Sequence, residues 1–329
     1  MSENKPKLLY VYEERIPESL RKLILDYFLE EFEIETMTYK LPDSDKCAKM
    51  NWAELVLFAP GRHLSEKVFE SASHIKLMQL WSSGYDKFNT SAAEKYNIPV
   101  ANNGGANAIS VAEHTLLLML AVNKWLPDSH RRVVEGQWTG NSHGMDMFLL
   151  HGKVLGVVGF GNIGRAVAQR AAGFGMRVVY YDPVRASSQI ENQLGVEYCD
   201  FPDLLSTSDV ITLHLHLDES TRGIISKPEF ILMKNSAILI NVSRAQLVDN
   251  EQLYIALQTK RLRGVGLDVY YQEPTSPDDP LLNHPNVVGT PHMAGSTNDA
   301  YITAMQNCLD NLRRAYKDKK PRWVVNNVV

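Results

Sequence analysis

Three side chains suited to acid–base chemistry follow apolar runs in the last third of the chain. Arg244, Glu273 and His292 each come after a short run of the kind that forms a buried parallel strand. Because ligands bind at the edge where the carboxyl ends of such strands meet, we expect these side chains to converge there. Histidine moves protons near neutral pH, a neighbouring carboxylate fixes its tautomer and favours its charged form, and a guanidinium binds a substrate carboxylate.

Two other histidines could take the acid–base role expected of His292. His214 and His216 also lie at the carboxyl end of a predicted strand, at 209–215, and compete with His292 for the acid–base role. An arginine, a glutamate and a histidine at loop starts also form ordinary surface pairs. Position favours His292, because it is predicted to share its sheet edge with a cation and an acid.

A glycine pattern in the middle of the chain predicts a strand–turn–helix unit, and the side chains named above are arranged around it. G-x-G-x-x-G follows the apolar run Val154–Val158 and precedes a helical pattern. The first glycine permits a tight turn, the second lets a pyrophosphate approach the backbone, and the third lets helix and strand pack closely. The helix N-terminus favours negative charge. We expect contacts to a dinucleotide from Gly159, Gly161, Asn162, Ile163 and Gly164.

An acidic residue sets the expected cofactor. Asp182 ends a second apolar run, eighteen residues after Gly164, where a carboxylate can accept both ribose hydroxyls of NAD. The same carboxylate would repel a 2′-phosphate, so the sequence favours NAD, or NADH, over NADP. Arg185 lies close enough in sequence to reduce that preference.

Composition limits the class of protein. With 329 residues, 44% of them hydrophobic, the chain is long enough for two domains. The net charge of −4 argues against a nucleic-acid or membrane-surface binder, and the longest apolar run, Leu116–Val122, is too short to span a bilayer. The N-terminus has no signal-peptide core, and the scattered Cys47, Cys199 and Cys308 indicate a cytoplasmic protein without a bound metal.

Alternating strand and helix patterns predict an α/β fold. We expect a smaller flavodoxin-like substrate domain from residues 1–103 and 294–329, and a doubly wound parallel-sheet (Rossmann) NAD-binding domain from residues 104–293. The last helix, near 297–318, should pack on the first domain. The predicted strands are 8–12, 34–38, 55–59, 75–80 and 98–101, then 154–158, 177–181, 209–215, 236–242, 263–269 and 286–290.

The stretch between the two sets of strands contains a long helix. Ser110-Val-Ala-Glu113 has the signature of a capping box and should open a helix that ends near Trp125, before Pro127. Residues 128–152 should form an extended arm rather than an element of their own.

Four spaced motifs resemble the NAD-dependent D-2-hydroxyacid dehydrogenases over essentially the whole chain. After the glycine pattern come Asn-Val-Ser-Arg-Ala-Gln-Leu-Val-Asp at 241–249, Gly-Leu-Asp-Val-Tyr-Tyr-Gln-Glu-Pro at 266–274 and Pro-His-Met-Ala-Gly at 291–295. The resemblance implies hydride transfer between NAD and C2 of a small 2-hydroxy or 2-oxo acid. It also implies a homodimer through the helix from Ser110 and the arm after it.

The resemblance implies a role for each matching residue. Arg244 would bind the substrate carboxylate and carbonyl, His292 would be the acid–base, and Glu273 would orient and charge His292. The backbone N–H groups of Ser83 and Gly84 would hold the carboxylate. Further cofactor contacts are expected from His214, Val242, Ser243, Asp268 and Ala294.

Departures from the family pattern leave other functions open. Ala245 replaces a glycine, His216 replaces a proline beside the cofactor, and the basic residues of phosphoglycerate-specific members are unmatched, apart from nearby Arg62. Glu273 disfavours the formate branch and Ser83 the phosphite branch. The alternatives are an NAD-sensing interaction protein of the same fold, which the lack of long tails disfavours, and a dehydrogenase for an inorganic or one-carbon substrate. Among 2-oxo acids, we expect small ones resembling glyoxylate or hydroxypyruvate.

Overall fold

Apolar runs in the first hundred residues form strands, and the stretches between them form helices. The computed structural model describes residues 5–138 and 140–328. The strands of this part form one parallel sheet, in which the order of the first three reverses once. In chain order the elements are β1 (Lys7–Tyr12), α1 (Glu18–Phe28), β2 (Glu33–Thr38), α2 (Asp43–Trp52), β3 (Leu55–Ala59), α3 (Glu66–Ser71), β4 (Leu77–Leu80), α4 (Thr90–Lys95) and β5 (Val100–Ala101), and the sheet order is β2-β1-β3-β4-β5.

The next part of the chain begins with two helices and then repeats the strand–helix alternation. Its seven strands also form a parallel sheet. The elements are α5 (Ala108–Lys124), α6 (Leu126–Val134), β6 (Val154–Val158), α7 (Asn162–Gly173), β7 (Arg177–Tyr181), α8 (Ser188–Leu194), β8 (Val196–Tyr198), α9 (Phe201–Thr207), β9 (Val210–Leu213), α10 (Lys227–Leu232), β10 (Ile238–Asn241), α11 (Asn250–Gln258), β11 (Gly264–Leu267) and β12 (Val287–Gly289).

The order of this second sheet fixes where a ligand can bind. It runs β12-β11-β10-β9-β6-β7-β8, so the strand order reverses between β6 and β9. Leu118 of α5 and Val167 of α7 belong to one buried cluster with strand residues, and Leu204 of α9 and Phe230 of α10 belong to another. Helices therefore cover both faces, which confirms the doubly wound prediction and leaves the carboxyl edge of the strands for ligands.

The start of α5 differs from its prediction. Ser110 lies inside the helix and not at its N-cap, because α5 begins at Ala108. The Ser110 hydroxyl donates to the Ala294 carbonyl oxygen at 2.7 Å. The capping-box prediction is therefore wrong, since this buried hydroxyl satisfies a distant carbonyl rather than the first N–H groups of its own helix.

The predicted arm is partly helical. Trp125 interrupts the helical path with a left-handed φ of 50°, and α6 follows with Pro127 in its first turn. Proline suits that position because its missing N–H would have no partner there. Because α6 is helical, the prediction of an entirely extended arm is wrong. After α6, the next regular element before β6 is a single helical turn, Gly144–Asp146.

The last helix, α12 (Asn298–Tyr316), packs on the first sheet. Its residues Cys308 and Leu312 are buried in one cluster with Leu8 and Tyr10 of β1. Tertiary packing thus draws the end of the chain back to its beginning.

The chain forms two compact units. One comprises Met1–Asn107 and Asn298–Val329, of which residues 5–107 and 298–328 are described, and the other is Ala108–Thr297. Each boundary lies four residues after the expected one. The roles of the two units as substrate and NAD domains stay predictions.

Candidate active site

The loop between β6 and α7 is shaped by two of its three glycines. Gly159 has a φ of 94°, and a Cβ there would lie 2.7 Å from backbone atoms of His214 and Leu215. A Cβ on Gly164 would overlap the Gly159 carbonyl oxygen. A Cβ on Gly161, in contrast, would meet no described atom within 4 Å. The first and third glycines therefore build the turn, and the second faces open space.

This open space fits the pyrophosphate of a dinucleotide. α7 begins at Asn162, and the first N–H groups of a helix favour negative charge, while the Ile163 side chain packs on the core. At the end of β7, Asp182 accepts hydrogen bonds from the N–H groups of Phe160, at 2.7 Å, and Val184, at 2.9 Å. Each carboxylate oxygen keeps a lone pair for a ribose hydroxyl. The residues present therefore fit NAD.

Arg185 is engaged in an ion pair of its own. Its Nε and Nη2 donate to the two carboxylate oxygens of Glu191 at 2.8 and 3.0 Å, and the Tyr180 hydroxyl donates to the same carboxylate at 2.6 Å. These hydrogen bonds from Arg185 and Tyr180 lower the pKa of Glu191 to about 2. The pair is therefore charged at neutral pH, and Arg185 does little to offset the repulsion between Asp182 and a 2′-phosphate.

His214 follows β9 at the point where the strand order reverses. Its Nε2 lies 3.0 Å from Thr212 Oγ1, and its Nδ1 is buried without a partner in the part of the chain that the structure describes. Although the residue as a whole is partly exposed, burial of the ring lowers its pKa to about 3. A neutral ring with an orphaned nitrogen fits a ligand contact. His216 is exposed in the loop that follows.

Asn241 holds the turn that carries Arg244. The buried Asn241 side chain accepts from the Ser243 N–H at 3.1 Å and donates to the Arg244 carbonyl oxygen at 2.8 Å. The Ser243 hydroxyl donates to the Leu215 carbonyl oxygen at 2.5 Å, while Val242 is buried. This role of Asn241 was not predicted, although a polar residue at the end of an apolar run is a signal that could have identified it.

His292 and Glu273 form a hydrogen-bonded pair. Both carboxylate oxygens of Glu273 lie 2.9 Å from His292 Nδ1. Because a carboxylate only accepts, Nδ1 carries a proton and Nε2 is left to face a substrate. The His292 side chain is 48% exposed, so a small molecule can reach it.

Asp268 anchors the turn on which His292 lies. The buried carboxylate accepts from the Thr290 hydroxyl at 2.6 Å and from the N–H groups of Met293 and Ala294, both at 2.9 Å. His292 has a left-handed φ of 52°, which a non-glycine residue keeps only when its surroundings hold it. In this structure Asp268 accepts a hydrogen bond from the Ala294 N–H group. The expected contacts of both residues with the cofactor stay predictions.

Tyr270 closes the same turn. Its hydroxyl lies 2.9 Å from the Thr290 carbonyl oxygen and 3.1 Å from that of Leu267, and its N–H donates to Glu273 at 3.2 Å. Burial raises the pKa of Tyr270 to about 12, so the hydroxyl remains a donor at neutral pH. Tyr270 and Thr290 were not predicted as site residues, because their partners are set by the fold and not by spacing.

The Ser83 loop belongs to the first unit and has its own support. Ser83 Oγ lies 2.7 Å from Oδ1 of both Asn103 and Asn107, and Asn102 donates to the Ser83 carbonyl oxygen at 3.0 Å. Among the described residues, the backbone N–H groups of Ser83 and Gly84 have no acceptor. Two such N–H groups in a braced loop fit a carboxylate.

Two kinds of site are not found in the part of the chain that the structure describes. No group of three or more His, Cys, Asp or Glu side chains there is arranged to hold a metal ion. Across residues 5–138 and 140–328, no helix combines the length and the apolar character needed to cross a membrane.

Comparison with known proteins agrees with this site. The family described as D-isomer specific 2-hydroxyacid dehydrogenase, NAD binding domain, matches residues 116–294. A glyoxylate reductase of Korarchaeum cryptofilum is 38% identical over 81% of this chain and 80% of its own length. A D-3-phosphoglycerate dehydrogenase of Archaeoglobus fulgidus is 36% identical over 83% of this chain, which spans only 51% of that protein.

A solved structure shows the same fold with its cofactor. The NAD-complexed D-isomer specific 2-hydroxyacid dehydrogenase of Lactobacillus delbrueckii is 26% identical, with a TM-score of 0.80 over 97% of this chain and 100% of that one. These matches and the glycine loop that fits NAD confirm the expected family and cofactor. The chain belongs to the D-isomer specific 2-hydroxyacid dehydrogenase family and is an NAD-dependent oxidoreductase of 2-hydroxy and 2-oxo acids.

Proposed function

We propose that this enzyme reduces a small 2-oxo acid such as glyoxylate or hydroxypyruvate, with His292 as the proton donor. The observation that carries the proposal is the His292–Glu273 pair, with both Glu273 oxygens 2.9 Å from Nδ1. Arg244, Glu273 and His292 follow β10, β11 and β12, which are neighbours in the sheet. Adjacent strands lie about 4.8 Å apart, so the three loops start within a small region.

Each residue has a separate task in the proposed reaction. Bound NADH supplies a hydride to C2 of the substrate. The Glu273 carboxylate holds Nδ1 of His292, so that the proton on Nε2 is directed to the substrate oxygen. Arg244 binds the carboxylate and stabilises negative charge on the carbonyl oxygen. In the first unit, the backbone N–H groups of Ser83 and Gly84 are donors that suit a carboxylate.

The surroundings of Arg62 support a small substrate without a phosphate. The Arg62 guanidinium donates to the Glu13 carboxylate, which also accepts from Arg15. The Glu13 carboxylate offsets the charge of Arg62, which therefore attracts a substrate phosphate less than an unpaired arginine would. The glyoxylate reductase of K. cryptofilum points in the same direction.

A panel of 2-oxo acids tests the proposal through NADH oxidation. We expect turnover of glyoxylate or hydroxypyruvate to exceed that of phenylpyruvate, 2-oxoglutarate and 3-phosphohydroxypyruvate. A preference for the phosphorylated acid would contradict it. Tight NADH binding with no turnover across the panel would favour the NAD-sensing function or an inorganic or one-carbon substrate.

Exposed apolar side chains support a homodimer through α5 and the segment after it. Ile109 and Leu117 of α5 are 60% and 49% exposed, and Val134, Trp138 and Met145 are more exposed still. Patches of this kind usually mark a contact surface. Light scattering should give twice the chain mass, and Leu117→Asp should lower it, whereas a monomeric wild type would contradict the proposal.

Free cysteines support a cytoplasmic location. Cys47, Cys199 and Cys308 form no disulfide in the structure. Reduced thiols are typical of the cytoplasm. Cell fractionation would test this.

A further inference from the structure

The turn at residues 290–294 is held by α5 as well as by Asp268. The Ser110 hydroxyl donates to the Ala294 carbonyl oxygen at 2.7 Å, and His114 Nε2 lies 2.8 Å from Thr290 Oγ1. Because Ser110 and His114 are four residues apart, they lie on the same face of α5. One helix face thus binds both ends of this turn.

The direction of the hydrogen bonds follows from donor counting. The Thr290 hydroxyl has one proton and lies 2.6 Å from Asp268 Oδ1, which also accepts from the Met293 N–H. Since this carboxylate oxygen is an acceptor, Thr290 donates to it and accepts from His114. His114 therefore carries its proton on Nε2, and the bonds run in sequence from α5 through Thr290 to Asp268.

These bonds matter because of their place around His292. Thr290 and Ala294 lie two residues before and two residues after His292, whose φ of 52° is rare for a side-chain-bearing residue. Such a conformation persists only when the surroundings over-determine it. Ser110 is 8% exposed and the His114 side chain 10% exposed, so water cannot easily replace either bond.

We propose that Ser110 and His114 are positioning residues for His292, acting through the two ends of its turn. The proposal rests on the proposed acid–base role of His292. Without these bonds the turn relaxes from its left-handed conformation and the imidazole loses its alignment with Glu273. Turnover should then fall much more than NADH affinity. The cofactor contacts expected at the glycine loop and Asp182 are untouched, although Ala294 of this turn is an expected cofactor contact as well.

The test compares kcat, using the best substrate of the panel, with the equilibrium Kd for NADH measured by fluorescence. Ser110→Ala and His114→Phe each remove a donor with little change of shape, and each should lower kcat about tenfold with a much smaller change of Kd. Ser110→Thr and His114→Gln keep a donor and should recover part of the loss. Thr115→Val is the matched control, because Thr115 is buried on the same helix but donates only to Val111 of α5 itself.

The outcomes separate positioning from general destabilisation. Wild-type kcat in Ser110→Ala, or an equal fall in Thr115→Val, would overturn the proposal. If His114→Phe does not fold, the comparison of Ser110→Ala with Ser110→Thr decides, because these two variants differ in the hydroxyl. His292→Ala belongs in the same series: full turnover there would refute the acid–base role itself, whereas a slow His292→Ala beside a wild-type Ser110→Ala refutes only the positioning role.

Discussion

His292 and His214 lie at the ends of strands in the same sheet but in opposite environments. His292 is half exposed and shares its Nδ1 proton with a carboxylate. The His214 ring is buried beside Thr212, and burial lowers its pKa to about 3. Position along the chain made the two histidines rivals, and their surroundings separate them. An exposed imidazole that a carboxylate holds by Nδ1 is within reach of a substrate, whereas a buried ring with a pKa near 3 is already neutral.

The neighbours of the two histidines extend the contrast. The loop of His292 is one of three that follow adjacent strands, with Arg244 and Glu273 on the others. The backbone of His214 instead limits the glycine loop, since a Cβ on Gly159 would lie 2.7 Å from it. One histidine therefore belongs with groups suited to the substrate and the other with groups suited to the cofactor.

Loss of Arg244 should have the largest effect on catalysis. Arg244→Ala removes a forked cation and should lower kcat/KM by about two to four decades, because charged two-point hydrogen bonds are strong. Arg244→Lys keeps the charge without the fork and should recover only part of the loss. Steady-state kinetics measures both. Equal activity of Arg244→Ala and wild type would remove the substrate role from this edge of the sheet.

A smaller effect is expected for the partner of His292. Glu273→Gln keeps the shape but loses the charge, and should lower kcat about ten- to a hundredfold. The neutral amide is a weaker acceptor for the Nδ1 proton, so it should hold the imidazole less firmly in position for proton transfer. Steady-state kinetics measures kcat for both proteins. Wild-type kcat in Glu273→Gln would mean that the pair is only structural.

Substitutions of two glycines in the loop between β6 and α7 test the cofactor site. Gly161→Ala places a methyl group in open space, so the variant should fold normally but bind NADH about tenfold more weakly. Gly159→Ala should instead lower stability by about 1–3 kcal/mol or more, because its φ of 94° and the nearby His214 backbone do not accommodate a Cβ. Fluorescence titration and urea unfolding distinguish the two. Equal NADH affinity in Gly161→Ala and wild type would contradict the proposed pyrophosphate site.

The smallest expected effect concerns the stability of the cofactor-free protein. The pKa of His214 falls from 6.5 to about 3 on folding, so the unfolded chain binds an extra proton between these values. Wild-type stability should therefore decrease as the pH falls below 6.5, because protonation of this residue favours the unfolded chain. His214→Asn should lack this component. Urea unfolding of wild type and His214→Asn, each near pH 7 and pH 5, measures the free energy of unfolding. An equal loss of that free energy between the two pH values in both proteins would refute the burial argument.

The sequence predicted regular elements best where the pattern was strong and local. β6 and β7 have their predicted bounds, because apolar runs flank a glycine turn that only one backbone path satisfies. β8 was missed, since three residues are too few to show a period. α6 was missed because Pro127 was interpreted only as the end of the preceding helix and not as a residue in the first turn of a new one.

The sequence also predicted the reactive residues of the site better than the residues that hold them in place. Arg244, Glu273 and His292 were identifiable because each follows a strand that reaches the same sheet edge. The residues that hold their turns, such as Asn241, Thr290 and His114, were not, because their hydrogen bonds join segments distant in sequence. Ser110 was placed at a helix start for the same reason. Spacing identified reactive groups, and only the fold identified their supports.

A single-turnover experiment compares the two histidines directly. Enzyme saturated with NADH is mixed with the best 2-oxo acid in a stopped-flow instrument, and the loss of NADH absorbance is followed for wild type, His292→Asn and His214→Asn. We expect His292→Asn to slow this step by about two to four decades, while His214→Asn stays near the wild-type rate. A wild-type rate in His292→Asn, with a slow His214→Asn, would show that His292 does not donate the proton.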